Sequence, residues 1–226
     1  MNQCSTLPLP DPLPLGLVSL DLWTSTQNLT AGCGAAMTTA NAKLVDNGCL
    51  RLYAEVAVKS LPESFILVER QEEADVIISD RICQQTGTLM LYPPDLVVGV
   101  GCNRGTTGAE LAAALEEFLA IDSLSRLSVR NLASIDLKRD ESGLLEFARE
   151  NSWDVVFYTK EELNSVAGIT PSAAAYKATG AKGVAEPAAL LSAASDTLVL
   201  EKRKWRNVTL ALARVSFTLS ALVLEA

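Results

Sequence analysis

Residues 96–120, LVVGVGCNRGTTGAELAAALEEFLA, constrain the fold more than any other stretch of this chain. Leu96, Val97, Val98, Gly99 and Val100 form a short run rich in β-branched residues, which reads as a buried strand. Gly101, Gly105 and Gly108 then break the chain. Thr106 and Thr107 offer N-cap hydroxyls, and Glu110 stands three residues after Thr107 as in a capping box. Leu111, Ala114, Leu115, Phe118 and Leu119 follow at helical spacing. A strand, a glycine loop and a helix in succession form an anion-binding arrangement. Glycines let the backbone approach a ligand, and a helix N-terminus presents unpaired N–H groups and a positive dipole end. Arg104 adds a side-chain charge within the loop.

Before this stretch the pattern is strand-rich. Residues 1–15 read as an extended, proline-rich leader. Residues 17–23 predict a strand or turn, and 31–45 a helix. Residues 50–56, 65–68, 74–79 and 89–92 predict four strands. Pro93 and Pro94 then punctuate the chain and mark a domain boundary. After residue 120 the elements alternate. Strands are expected at 129–135 and 154–158, and helices at 143–150, after Thr159-x-x-Glu162, from Pro171 and Ser172 to a stop at Gly180, and at 184–194. Closing strands at 197–200 and 207–213 flank the basic cluster Lys202, Arg203, Lys204, Trp205, Arg206. The expectation is an α/β protein. A three-layer α/β/α C-terminal domain at 95–213, with a mixed, mainly parallel sheet, follows a smaller strand-rich α/β region at 16–94. Residues 214–226 form a tail.

Charge and composition exclude several functions. The formal net charge of −8 argues against nucleic-acid binding through phosphate contacts. The positive charge is uneven: residues 1–95 hold 5 Lys and Arg, residues 96–226 hold 14. An anionic small molecule therefore finds its cations in the second part. There is no histidine, which removes His-dependent triads and metal sites. Cys4, Cys33, Cys49, Cys83 and Cys102 are odd in number and widely spaced, as expected of reduced thiols in a cytoplasmic protein. The N-terminus lacks a basic region and carries interrupting prolines, so no signal peptide is expected. The apolar run 208–224 is interrupted by Arg214 and reads as a strand rather than a membrane span. Gly99-x-Gly101 before a helix suggests dinucleotide binding, but the fingerprint fails because residue 104 is arginine and no acid ends a second strand about 20 residues on.

The run Val98-Gly99-Val100-Gly101-Cys102-Asn103-Arg104-Gly105-Thr106 resembles the Gly-hydrophobic-Gly-Cys-x-Arg-Gly loop of the CbiG/CobE proteins of cobalamin biosynthesis. Three further blocks follow in that family's order. The first is Ile135-Asp136-Leu137-Lys138 with Asp140, Glu141, Gly143 and Leu144. The second is Tyr158-Thr159-x-Glu161-Glu162-Leu163. The third is Gly180, then Val184-Ala185-Glu186 with Lys202 before Val208-Thr209-Leu210-Ala211. Together they cover about residues 90–213, and residues 45–92 resemble the middle region of longer members. The glycine-rich domain that opens those longer members has no match here; residues 31–41, AGCGAAMTTAN, do not fit it.

The resemblance implies action on a corrin precursor. CbiG-type enzymes open the ring A lactone of cobalt-precorrin-5A and release acetaldehyde, whereas the shorter CobE-type relatives are implied to bind an intermediate without chemistry. It implies no cofactor, since cobalt comes with the substrate. A pathway methyltransferase is a candidate partner, the tail being read as a stub of such a junction; neither nucleic acid nor membrane is expected. A flat macrocycle rimmed by carboxylates needs cations at the edge and apolar surface beneath. The loop Gly101, Cys102, Asn103, Arg104, Gly105, Thr106 and Thr107 is expected to bind it, with Lys202 and, if the fold gathers them, Lys138, Arg139 and the rest of the 202–206 cluster. Lactone opening needs an activated water and a stabilised oxyanion. Glu186, which matches the family's glutamate, is the first candidate base; it is equally an acid stabilising a helix start. Asp136 and Lys138, at a strand end, are the second candidates. Cys102 is a nucleophile without a visible base, or a small buried residue.

Overall fold

The computed structural model describes residues 18–83 and 87–221. The expected leader and residues 222–226 lie outside them. The first part runs α1 (Leu20–Thr26), β1 (Thr30–Ala31), α2 (Gly34–Asn47), β2 (Leu50–Ala54), β3 (Ala57–Val58), β4 (Phe65–Leu67), β5 (Val76–Ile78) and β6 (Leu89–Tyr92). Its sheet has the order β1-β6-β5-β2-β4, parallel except for β1. All three residues of β5 are buried, as befits a central strand covered on both faces.

The strand or turn expected at 17–23 is instead α1. Leu20, Trp23 and Thr24 are buried at i, i+3 and i+4. Alternation would have paired Leu20 with Leu22, which is 54% exposed. Trp23 packs edge-on against Phe65, with ring centroids 4.8 Å apart.

The second part runs β7 (Leu96–Cys102), α3 (Gly108–Ala120), β8 (Val129–Ile135), α4 (Ser142–Glu150), β9 (Asp154–Tyr158), α5 (Lys160–Ser165), α6 (Ala173–Thr179), α7 (Ala185–Ala193), β10 (Leu198–Lys204) and β11 (Val208–Arg214), followed by β12 (Thr218–Leu219). The sheet order is β10-β11-β7-β8-β9, with β7, β8 and β9 parallel and β10 and β11 antiparallel. This is the mixed α/β class expected from the alternation. Successive residues of β7 serve opposite faces. Val98 and Val100 pack with Leu111, Leu115 and Phe118 of α3 and with Leu144 and Phe147 of α4. Val97, with Ala133 and Ile135 of β8, packs with Leu163 of α5 and Ala188, Ala189 and Ala193 of α7. The N-terminus of α7 lies directly on β7: a Cβ at Gly99 would overlap the Ala185 carbonyl and lie 2.9 Å from the Ala189 nitrogen.

The basic cluster is not a loop between strands. Lys202, Arg203 and Lys204 belong to β10, an edge strand whose exposed charges oppose further pairing, and only 205–207 form the turn. Residues 208–219 form β11 and β12, and among the described residues no helix is long and apolar enough to cross a membrane.

The described part of the expected tail is integral to the first unit. β12 pairs in parallel with β3, and Leu219 is fully buried with Trp23 and Phe65. The Trp23 indole donates to the Ser220 carbonyl at 3.1 Å, and the Ser220 N–H donates to Gln27 at 3.0 Å. Where the chain crosses back, a cleft of about 630 Å³ lies between the two units, walled by Glu55, Asp80, Arg81, Asp95, Arg214 and Phe217 among others. Arg214 pairs with Asp80 and lies 3.5 Å from Asp95, whose Oδ1 has no hydrogen-bond partner among the described residues.

Candidate functional site

The glycine loop after β7 folds as its capping signals dictate but does not present an open anion hole. Gly105 takes φ +77°, a left-handed turn that suits glycine. Thr107 and Glu110 form the expected capping box: the Thr107 N–H donates to the Glu110 carboxylate at 2.9 Å, and the Glu110 N–H to Thr107 Oγ1 at 3.2 Å. The Asn103 N–H donates to the Asn207 carbonyl at 2.9 Å, and the Thr106 N–H to the Asn103 carbonyl at 3.4 Å. The Gly105 N–H donates to Glu141 Oε1 at 2.7 Å. The anion that the loop holds is thus the chain's own carboxylate.

Glu141 is the tie of this region. Its other oxygen accepts from the Lys138 ammonium at 3.0 Å, and both side chains are largely buried. Burial alone would raise the Glu141 carboxyl; the Gly105 N–H, Lys138 and Arg104 outweigh it and hold the group below its usual value. Gly143 allows this approach, since a Cβ there would overlap the Thr106 carbonyl. Glu141→Gln removes the charge facing Lys138 and is expected to lower stability by about 2 kcal/mol, read as a shift in the urea midpoint. An unchanged midpoint would show that the pair does not organise the loop.

Beside the loop, at the carboxyl ends of β7 and β8, lies a cleft of about 370 Å³. This is where open α/β sheets bind ligands. Gly101, Cys102 and Ile135 are at its strand ends, α6 and the first turn of α7 wall one side, and 202–209 the other. Its wall carries four cationic side chains, Lys138, Lys202, Lys204 and Arg206, against one carboxylate, Glu186. In a chain of net charge −8 that is a concentration of positive charge. Glu186 sits in the first turn of α7 and accepts from Lys202 Nζ at 2.7 Å and from the Lys202 N–H at 3.4 Å. Its side chain is 11% exposed, that of Lys202 37%. Trp205 lines the turn of the hairpin and donates its indole N–H to Glu117 at 2.8 Å.

The geometry gathers some of the expected site residues and separates others. Gly101, Cys102, Asn103, Lys138, Glu186 and Lys202 line the cleft. Asp136 does not; it opens the short 3-10 turn that leaves β8. Arg104 is drawn away by Asp140 at 2.6 Å and the Leu137 carbonyl at 3.2 Å. Gly105, Thr106 and Thr107 spend their backbone donors on Glu141, the Asn103 carbonyl and Glu110. Arg139 lies over the ring of Phe157 rather than in the cleft. Partial burial raises the Cys102 thiol, with Lys138 opposing, and the half-buried residue lines the cleft. Glu141 and Asn207 were not read from the sequence as site residues. Their contacts with the loop cross 36 and 104 positions, and no local pattern carries them. Among the described residues no group of acids and cysteines is placed to hold a metal ion.

Fold and site together define an open-sheet α/β protein with a cation-rimmed cleft at its strand ends. A family model described as "Cobalamin synthesis G C-terminus" matches residues 96–213, and the chain belongs to this CbiG/CobE family. It is 39% identical over 167 residues to the cobalt-precorrin-5A hydrolase of Priestia megaterium, covering 72% of this chain and 42% of that protein. It is 34% identical over 121 residues to Protein CobE of a Sinorhizobium species, covering 52% of this chain and 79% of that protein. The crystal structure of CobE, a protein from the cobalamin biosynthetic pathway, superposes with a TM-score of 0.50 at 36% identity, over 54% of this chain and 92% of that one. The chain therefore spans less than half the length of the hydrolase.

Proposed function

We propose that this chain takes a corrin precursor into the strand-end cleft and opens the ring A lactone of cobalt-precorrin-5A, with release of acetaldehyde. The observation that carries this reading is the excess of cations around the cleft, four against the single carboxylate of Glu186, which suits a macrocycle bearing many carboxylates. Similarity to the Priestia hydrolase supports the reaction. Glu186 is the base: it takes a proton from water as the water oxygen bonds to the lactone carbonyl carbon. The Lys202 ammonium, now 2.7 Å from Glu186, turns to the developing oxyanion. The ring C–O bond then breaks, and the departing oxygen takes the proton back from Glu186. That hydroxyl afterwards gives up its proton as its C–O becomes the acetaldehyde carbonyl, and the C–C bond to the macrocycle breaks with its electron pair and a proton taken up at the ring carbon. Lys204 and Arg206 hold peripheral carboxylates, while Lys138 stays with Glu141. Cobalt enters within the substrate, and the chain supplies no cofactor of its own. We place the protein in the cytoplasm, where the thiols of Cys33, Cys49, Cys83 and Cys102, all free, stay reduced, and take a methyltransferase acting on the same intermediate as the partner.

The test incubates the purified chain with cobalt-precorrin-5A and follows acetaldehyde. Repeated turnover is expected, with Glu186→Gln slower by about 10²-fold or more while still binding the corrin. Stoichiometric binding without acetaldehyde would make the protein a carrier of the intermediate, and no binding would overturn the reading.

A further inference from the structure

Residues 166–183 include one wall of the cleft and are built unlike the rest of the second unit. Their helix, α6, has no buried residue, and Tyr176 on it is 63% exposed. Ala174, Ala175 and Ala178 nevertheless line the cleft, so the face that α6 turns to the protein is turned to the ligand space. The segment is anchored at its base. Ala181 is fully buried and Ile169 packs beside it. The Asn164 amide donates to the Gly180 carbonyl at 3.1 Å and its oxygen accepts from the Lys182 N–H at 2.7 Å, and the Ser172 N–H donates to the Lys182 carbonyl at 2.7 Å. Gly168 and Gly180 flank the helix, each with φ near +75° (+75° and +76°). On the cleft side Lys202 Nζ joins it to the opposite wall, donating to the Thr170 carbonyl at 3.2 Å. The same ammonium pairs with Glu186.

We infer that residues 170–180 are a lid that opens to admit the ligand, and that Lys202 is its latch. The inference rests on the corrin reading for the identity of the ligand, but not for the latch itself. With little apolar surface holding α6 down, its closed position depends on few contacts, and segments of this kind supply active-site lids. The alanine side chains of α6 make its inner face low and smooth, so a flat ring fits beneath it. Ala175 and Ala178 thereby set the thickness of ligand that the cleft accepts. Lys202 acts as a positioning residue toward the lid: its bond to Thr170 keeps the alanine face over the same space into which Glu186 projects.

Hydrogen exchange by mass spectrometry on the full chain tests this. In the free protein, Lys202→Gln is expected to raise exchange about tenfold in peptides covering 170–180 and to leave α3 and α7 unchanged, with Lys202→Arg restoring the slow rate. Exchange in 170–180 equal to wild type in Lys202→Gln would overturn the latch. Cobyrinic acid serves as probe, its binding read from the shift of its visible absorption bands. Bound probe is expected to slow exchange in 170–180, and Ala175→Trp to abolish the band shift while leaving exchange in the free protein slow. A band shift without protection of 170–180 would overturn the lid and leave the corrin reading standing. No band shift in wild type would overturn the corrin reading, and the lid would stand or fall on the Lys202→Gln comparison alone.

Discussion

Gly99→Ala is expected to cost about 4 kcal/mol, enough to leave much of the protein unfolded at 37 °C. The reason is backbone against backbone. A Cβ at position 99 would overlap the Ala185 carbonyl oxygen and press on the Ala189 nitrogen, and neither can swing aside as a flexible side-chain tip would. Relief requires α7 to lift from the sheet, which uncovers Val97, Ala133, Ala188 and Ala189 together. The control stands two residues along the same strand. A Cβ at Gly101 meets nothing nearer than Thr209 Cβ at 3.7 Å, so Gly101→Ala is expected to stay within about 0.5 kcal/mol of wild type. Urea unfolding of both variants decides the matter. Equal midpoints would mean that α7 does not sit where its contact with β7 puts it.

Asp95→Asn is expected to stabilise the protein above neutral pH. Asp95 is 2% exposed at the junction of the two units. Burial and the facing Asp80 push its carboxyl from an ordinary 3.8 up to about 7, against the pull of Arg214 and its own backbone N–H. Glu55 and Arg81 complete the charged groups around the same cleft. A carboxyl with a raised folded value binds its proton more tightly folded than unfolded. The cost is absent below about pH 4, grows as pH rises, and is complete above about pH 7. Three pH units at about 1.4 kcal/mol each set the upper limit near 4 kcal/mol. Wild-type stability is therefore expected to fall between pH 5 and pH 8, and the asparagine variant to lose that slope. Denaturant titrations at pH 5 and pH 8 are the measurement. A variant less stable than wild type at pH 8 would show that Asp95 is held as a carboxylate.

What the chain revealed in advance was its local chemistry. Thr107 with Glu110, and Thr159 with Glu162, announce helix starts because both partners of each capping box lie within one turn. The buried face of α3 was legible in the same way, residue by residue, from Leu111 to Leu119. The strands of two residues were not, since alternation needs more than two positions to register. The site was half legible. Glu186 and Lys202 were each singled out, but their pairing at 2.7 Å needs the hairpin to fold back over α7. The partners of Arg104 were not legible, because a cation in a glycine loop suggests an external anion and only the fold brings Asp140 and Glu141 close to it.

The return of residues 218–221 to the first unit bears on how the protein is made. The five-stranded sheet of that unit is complete by Tyr92, yet β3 finds its partner only in β12, Leu219 belongs to the unit's core and the Ser220 carbonyl to its tryptophan. A ribosome adding ~5–20 residues per second needs about ten seconds to travel from one point to the other. During that interval Trp23 and Phe65 stand beside a gap that nothing yet made can fill. β11 of the second sheet ends at Arg214 and β12 begins at Thr218, so both units receive their last strands within one short stretch of synthesis, although the first was begun long before.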